Sequence, residues 1–334
     1  MLRVGVIGTG NIGTAHIERL SSSIAGASVV AVYDLDSARA ATVAGIAGAV
    51  VRGTAGDVIA DETVDAVLIT SPGDTHAELV LECLAVGKPV LCEKPLATST
   101  ESALAVVQAE VATGRRLVQV GFMRRFDAGY RAMKAVIDDG SIGTPLLAHC
   151  VHRNASVPAG FDSDMELTDS LVHEIDVTRW LFGQEIVAVT VIPTRPSPLV
   201  AAGTRDPQLV LLHLAAGGVV EVEVFVNCQY GYDVRCEVVG STGTVSLDDP
   251  ATVTVAGKGR RSRTIAADWR SRFADAYRAE LQEWVDAVTD GEIRGPSAWD
   301  GYVATTVAES CVAAVTSGNR NIALADRPVL YQPE

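Results

Sequence analysis

No apolar run in this chain approaches the ~18 residues that a membrane-spanning helix needs, and no two of its six cysteines form a CxxC pair. The first absence leaves no candidate membrane segment. The second argues against a CxxC redox or zinc motif. Cys83, Cys92, Cys150, Cys228, Cys236 and Cys311 read instead as reduced, mostly buried thiols in a reducing compartment, the cytoplasm. Basic charge is also short. The chain has 27 Lys and Arg against 41 Asp and Glu, a net charge of −14, which speaks against nucleic acid, whose phosphates call for a basic surface. The basic cluster from Lys258 to Arg263 is an exception, and its β-type flanks mark it as a solvated edge or turn. Internal repeats and low-complexity stretches are missing. The six histidines include one close pair, His149 and His152, but no two-His-plus-carboxylate spacing, so no metal is expected. The opening stretch from Leu2 to Gly8 is too short and too broken by glycine for a signal peptide, and no small-residue cleavage site follows it.

What is present divides in two. A length of 334 residues suggests two domains at about 100–200 residues each. Apolar strands at 2–8, 28–33, 64–70, 88–93 and 117–121 alternate with helical patterns at 12–22, 36–48, 76–86 and 100–113. Strands with so little polar alternation indicate a parallel sheet covered on both faces. After about residue 122 the pattern changes. Helices are predicted at 130–138 and 165–182, and strands at 146–151, 186–192, 209–214, 219–227, 234–239, 243–247 and 252–255. Glu221 to Val226 alternates polar and apolar, as one-faced antiparallel strands do, and Ala215 to Gly218 is a hairpin-turn candidate. Late helices are predicted at 272–288 and 303–316, and they are candidates to pack back on the first domain.

The first strand runs directly into Gly8-Thr9-Gly10-Asn11-Ile12-Gly13 and then into a helix. A lone GxGxxG is weak, but strand–loop–helix is the context in which it binds a dinucleotide. Gly8 permits the tight turn, Gly10 lets the backbone approach a pyrophosphate, and Gly13 lets helix and strand pack closely. The helix N-terminus offers N–H groups and partial positive charge to the phosphates. Asp34, 21 residues after Gly13, can accept hydrogen bonds from both ribose hydroxyls of NAD and would repel the 2′-phosphate of NADP. The alternative is a glycine turn without nucleotide, with Asp34 as a helix cap. The expected fold class is therefore α/β: an N-terminal Rossmann NAD-binding domain over 1–121, then a C-terminal α/β domain over 122–334 with a large open, mostly antiparallel sheet.

Glu93-Lys94-Pro95 closes a predicted parallel strand, and ligands bind beyond the carboxyl ends of such strands. Asp169 and His173 stand four apart on the helix predicted at 165–182, where they would share a face; Asp176 stays near it. A carboxylate, an imidazole and a lysine suit alcohol oxidation, with histidine as general base and lysine stabilising the developing alkoxide. A helical Asp–His pair acting only as a cap or surface pair is the alternative from spacing alone.

The glycine motif, Glu93-Lys94-Pro95 and the Asp-x-x-x-His helix together resemble the Gfo/Idh/MocA oxidoreductase family over essentially the whole chain. Longer strings resemble its inositol-oxidising branch: Gly121 to Asp127, His152 to Asn154, Leu171 to Asp176, Val226 to Asp233 and Gly295 to Tyr302. Ala155 departs from the proline expected after Asn154, which bears on the shape of that loop. The resemblance implies NAD as cofactor, with Ser71, His76, Glu93 and Lys94 joining Gly8, Gly10, Asn11, Ile12, Gly13 and Asp34 on the cofactor side. It implies Lys94, Asp169 and His173 as the catalytic group, and Arg124, His152, Asn154, Asp176 and Tyr232 beside Asp169 and His173 lining a polyol site. It further implies a homotetramer and oxidation of myo-inositol to 2-keto-myo-inositol. Another cyclitol, a pyranose such as glucose, and a non-catalytic NAD-binding sensor are the competing readings.

Overall fold

The structure, a computed structural model, describes residues 1–201, 203–247 and 253–332. The chain divides into two compact units. The first comprises Met1–Met123, Asp275–Thr306 and the residues from Leu324 on; the second comprises Arg124–Ala274 and Val307–Ala323.

The first unit begins β1 (Leu2–Ile7), α1 (Asn11–Ser22), β2 (Ala27–Tyr33), α2 (Ser37–Ala47), β3 (Val50–Val51), α3 (Ala55–Ala60) and β4 (Ala66–Ile69). It continues with α4 (His76–Ala85), β5 (Val90–Glu93), α5 (Thr100–Thr113) and β6 (Val118–Gly121). Its six strands form one sheet, ordered β3-β2-β1-β4-β5-β6, with every pair parallel. The order reverses between β1 and β4, and a crevice beyond the strand ends at such a reversal is where doubly wound sheets bind ligands. β4, β5 and β6 are buried along their whole length, because helices cover both faces. Local chemistry sets the helix ends. Asp36 caps α2 by accepting from the Ala38 and Arg39 amides, Ser99 caps α5, and Gly48 and Gly114 close these helices in the left-handed conformation. β3 and α3 were not legible in the sequence, since two and six residues carry too little periodic signal.

The second unit runs α6 (Ala128–Asp138), β7 (Pro145–Arg153), α7 (Ser163–Met165), a π-helical turn (Glu166–Ser170), α8 (Val172–Phe182), β8 (Ile186–Ile192), β9 (Gln208–Leu214) and β10 (Val219–Phe225). Then come β11 (Asp233–Gly240), β12 (Thr244–Ser246), β13 (Thr254–Gly257), β14 (Arg260–Arg263), α9 (Trp269–Arg272) and, late in the chain, β15 (Asn319–Asn321). Seven strands form a sheet ordered β12-β11-β7-β10-β9-β8-β15, in which β7–β10 is the parallel pair and the others run antiparallel. Along β9 and β10 buried positions alternate with half-buried ones, so one face of the sheet carries the core. Leu214 and Gly218 close the β9–β10 turn, where the sequence places it.

Three expectations need correction. The helix expected over 165–182 is not continuous. Asp162 caps the short α7, and the Leu171 amide then donates to the Glu166 carbonyl five residues back, widening one turn before α8 begins. Gln208 on β9 reaches the Ser163 carbonyl and the Glu166 carboxylate, a tertiary contact that helical periodicity does not encode. The strand expected at 252–255 is β13 over Thr254–Gly257, with Thr252 outside the described residues; β13 pairs with β14 in an exposed hairpin that turns at Lys258 and Gly259, so the basic cluster is the solvated turn its flanks implied. The last helix, α11 (Ala298–Ser317), begins five residues before the predicted 303. A capping box explains the early start: the Asp300 amide donates to Ser297 Oγ, and Asp300 Oδ2 accepts from the Ser297 amide.

The helix before it, α10 (Ala274–Asp290), places Leu281, Trp284 and Val285 in the core built by Leu2, Val4, Ile17, Leu20 and Ile24. Burial of each such side chain contributes roughly 1.5–3 kcal/mol, so α10 is an integral part of the first unit. The start of α11 also belongs to that unit. A Cβ on Gly301 would sit 2.7 Å from the Leu96 Cβ, so glycine there lets the helix lie against the segment after Pro95.

Candidate active site

In the first unit the glycine loop has the shape its spacing implies. Gly8 adopts φ +93°, and a Cβ there would meet the Ser71 amide nitrogen at 2.5 Å. A Cβ at Gly13 would meet the Gly8 carbonyl at 2.1 Å and Thr70 Oγ1 at 2.6 Å. Gly10 differs: a Cβ there has nothing within 4 Å. The turn therefore requires Gly8 and Gly13, whereas Gly10 faces open space at the start of α1. The amides of Asn11, Ile12 and Gly13 have no acceptor within the helix. Open space facing helix-terminal N–H groups fits a pyrophosphate.

Asp34 closes the other side of this crevice. Its Oδ2 accepts from the Thr9 amide at 2.6 Å and Thr9 Oγ1 at 3.0 Å; its Oδ1 accepts from the Asp36 amide at 2.8 Å and Arg39 Nη2 at 2.6 Å. Burial pushes its carboxyl up, but the Arg39 guanidinium and the Thr9 and Asp36 amides outweigh that and hold it down at about 2. A fully ionised acceptor at the end of β2 suits a diol such as the NAD ribose. The sequence shows no arginine directly after Asp34; the first turn of α2 brings Arg39 onto it.

Glu93 is buried at the end of β5. Its Oε1 bonds His16 Nε2 at 2.8 Å, and its Oε2 accepts from the Lys94 amide at 3.2 Å. The carboxylate thus ties α1 to the turn carrying Lys94, which is half-buried and precedes a cis Pro95. His76 is 1% exposed, and its Nδ1 and Nε2 lie 2.7 and 2.8 Å from the Pro95 and Ser71 carbonyls. It pins the β4 end to the same turn. Ser71 Oγ lies 2.7 Å from Thr75 Oγ1. Both Glu93 and His76 thus spend their polar atoms on the scaffold of the cofactor side.

In the second unit Asp169 sits half-buried on the π-helical turn and His173 buried in the first turn of α8. The widened turn sets their relation, in place of a regular four-residue helical step. The His152 ring, at the end of β7, lies 6.2 Å from that of His173 and 5.9 Å, edge-on, from that of Tyr232. Tyr232 is 5% exposed, and burial raises its pKa. Asn154 Oδ1 is a buried acceptor without a hydrogen-bond partner among the described residues, an atom that a hydroxyl would satisfy. The Asn154 and Ala155 carbonyls accept from the Cys228 and Gln229 amides, which shapes the loop where proline was expected.

Two expected lining residues carry buried ion pairs. Asp176 is 1% exposed and gripped by Arg125, through Nε at 2.9 Å and Nη2 at 2.5 Å. Arg124, also 1% exposed, gives Nη1 to Glu174 Oε1. Glu174 Oε2 lies 2.9 Å from His152 Nδ1. Burial pushes the Glu174 carboxyl up, yet Arg124 and His152 hold it below the ordinary range. Sequence reasoning missed both Glu174 and Arg125. The one available signal was a charged residue inside the apolar run from Leu171 to Ile175; nothing local pairs Glu174 with Arg124, 50 residues away.

A doubly wound unit with a dinucleotide loop, together with an open-sheet unit carrying a buried histidine cluster, defines the class of two-domain NAD-linked oxidoreductases. The chain belongs to the Gfo/Idh/MocA family: residues 2–122 match its NAD-binding Rossmann-fold model and residues 134–324 its C-terminal alpha/beta domain. It is 55% identical over 331 residues to inositol 2-dehydrogenase 3 of Saccharopolyspora erythraea, covering 99% of this chain and 98% of that protein. It is 51% identical over 336 residues to inositol 2-dehydrogenase of Azotobacter vinelandii, covering 99% of both. Among solved structures, myo-inositol dehydrogenase from Lactobacillus casei, in complex with NAD(H) and myo-inositol, matches with a TM-score of 0.96 at 38% identity, over 99% of this chain and 100% of that one.

Proposed function

We propose that this protein oxidises myo-inositol at one hydroxyl to 2-keto-myo-inositol, with NAD as hydride acceptor. The observation that carries this reading is the full-length likeness to a dehydrogenase crystallised with NAD(H) and myo-inositol. The first unit's open Gly10 crevice and ionised Asp34 fit the cofactor. The second unit's histidines, Tyr232 and unsatisfied Asn154 acceptor suit an uncharged ligand rich in hydroxyls.

In this reading NAD supplies a hydride acceptor. His173 takes the hydroxyl proton while the C–H hydride leaves and the carbonyl forms. Asp169 orients the His173 ring, and Lys94 holds the reacting hydroxyl and stabilises the charge growing on its oxygen. Asn11, Ile12 and the loop of Gly8, Gly10 and Gly13 would hold the pyrophosphate. His152, Asn154, Tyr232, Arg124 and Asp176 line the site for hydroxyls that do not react, with Arg124 and Asp176 held by Glu174 and Arg125. The test is NADH formation by the purified protein with NAD and myo-inositol. Turnover of scyllo-inositol, chiro-inositol or glucose with none of myo-inositol would overturn the substrate.

The exposed side of the second unit's sheet supports a homotetramer. Val187 and Ile192 are exposed there, Leu209 and Leu211 are half-buried, and closing this face against other copies would bury them. Sedimentation equilibrium tests it; a monomer at micromolar concentration would refute it. Six unpaired thiols suit a cytoplasmic enzyme, and the reaction suits inositol catabolism.

A further inference from the structure

His152 Nδ1 has two neighbours that demand opposite protonation. Glu174 Oε2, at 2.9 Å, accepts a hydrogen; Arg124 Nη2, at 3.2 Å, can only donate one. One tautomer satisfies the first contact and the other satisfies the second. Which form is present decides what the opposite nitrogen, Nε2, offers to a ligand: a lone pair or an N–H.

The geometry favours the carboxylate. Glu174 is anionic, 1% exposed and the nearer partner. Its Oε1 takes Arg124 Nη1, which leaves the His152 ring as the donor facing Oε2. A bare Nδ1 would set two lone pairs against each other at 2.9 Å and strand a buried carboxylate oxygen, a larger penalty than losing the longer contact to Nη2 at 3.2 Å. The Arg124 guanidinium also lies 5.7 Å over the Phe273 ring, so Arg124 does not depend on His152 for company.

We propose that Glu174, seated against Arg124, is a positioning residue that locks His152 in the Nδ1–H tautomer, so that Nε2 presents an acceptor to a non-reacting hydroxyl of the substrate. This rests on the polyol reading of the site. His152 Nε2 and Asn154 Oδ1 are then two acceptors fixed before binding, and the site selects ligands with hydroxyl donors in both places. Deoxy or O-methyl analogues at those positions are disfavoured because they strand a buried acceptor.

Neutron diffraction from deuterium-exchanged crystals of the enzyme with NAD reads the tautomer directly. Deuterium on His152 Nδ1 with none on Nε2 is expected; deuterium on Nε2 overturns the proposal, whatever the substrate proves to be. Glu174→Gln is the kinetic test, because the amide can turn its NH2 toward His152 and force the opposite tautomer. The expected result is a rise of about tenfold or more in KM for myo-inositol, a smaller change in kcat and an unchanged KM for NAD, with substantial recovery in Glu174→Asp. A folded Glu174→Gln enzyme with wild-type KM for myo-inositol refutes the role. If that variant does not fold, the wild-type neutron map still decides. If no cyclitol is turned over at all, the polyol reading fails while the tautomer result stands.

Discussion

His16 on α1 and Glu93 at the end of β5 hold each other at 2.8 Å, both buried, so the helix that begins at the glycine loop is anchored to the strand that presents Lys94. One carboxylate oxygen takes the imidazole and the other the Lys94 amide. His16→Ala removes a partner from a buried acceptor. A loss of about 1–3 kcal/mol in unfolding free energy is expected, with a several-fold fall in kcat/KM for NAD. Urea denaturation and steady-state kinetics check it; an unchanged stability would show the pair to be incidental.

The three loop glycines are not equivalent. Gly10→Ala meets nothing within 4 Å, so the melting temperature is expected to hold while NAD affinity falls about tenfold or more, because the methyl group stands where the pyrophosphate must approach. Gly8→Ala forces a methyl onto the Ser71 backbone at φ +93° and should destabilise the fold by more than about 1 kcal/mol. Thermal melts with and without NAD separate the two. Equal destabilisation by both would contradict the assignment of Gly10.

Asp34 is expected to set the choice of dinucleotide. Its carboxyl, held at about 2, is anionic throughout the working range and repels a 2′-phosphate. Asp34→Ala should cut kcat/KM for NAD and raise the NADP-to-NAD ratio at least tenfold, because Arg39 is then left facing the ribose without its counter-charge. The ratio of kcat/KM values for the two cofactors is the measurement, and a ratio that does not move would reject this role.

Lys94→Ala and His173→Ala are each expected to lower kcat by about 10²–10⁴-fold while NAD binding, followed by fluorescence titration, stays within a few-fold of wild type. Near-normal turnover in both variants would overturn the mechanism.

Glu166, 1% exposed on the π-helical turn, is pushed up from 4.5 to about 8 by burial, despite the hydrogen bond from Gln208. The folded state therefore holds a proton that the unfolded chain releases near 4.5. Between pH 4.5 and about 8 the native state binds more protons, so this group's contribution makes stability fall as pH rises through that window. Glu166→Gln removes the ionisable group and should flatten the decline, gaining stability at pH 8 relative to wild type. Denaturation midpoints at a series of pH values test it; parallel curves for the two proteins would reject the assignment.

The glycine loop and Asp34 were readable because their requirements are local. A tight turn and a helix start are set within a few residues, and the structure reproduces both, with open space at Gly10. The parallel sheet was readable for the same reason, since strands buried on both faces announce themselves as apolar runs. The early start of α11 was also written in the chain, as Ser297 and Asp300, a capping signal masked by the family-like string around it.

The helix bearing Asp169 and His173 marks the boundary. Its sequence has a helical period, yet Gln208 on a distant strand bonds to Ser163 and Glu166 and stabilises a widened turn. Arg124 and Asp176, both expected to line the polyol site, pair with Glu174 and Arg125, partners that nothing local in the sequence assigns. Sequence alone determined the α/β class, where the dinucleotide loop lies and which residue types are available for oxidising an alcohol, because these follow from hydrophobic period, turn chemistry and side-chain chemistry. Tertiary structure alone decided which charged groups meet. A buried charge must take whatever counter-charge the fold brings within about 3 Å, and that partner comes from any point in the chain.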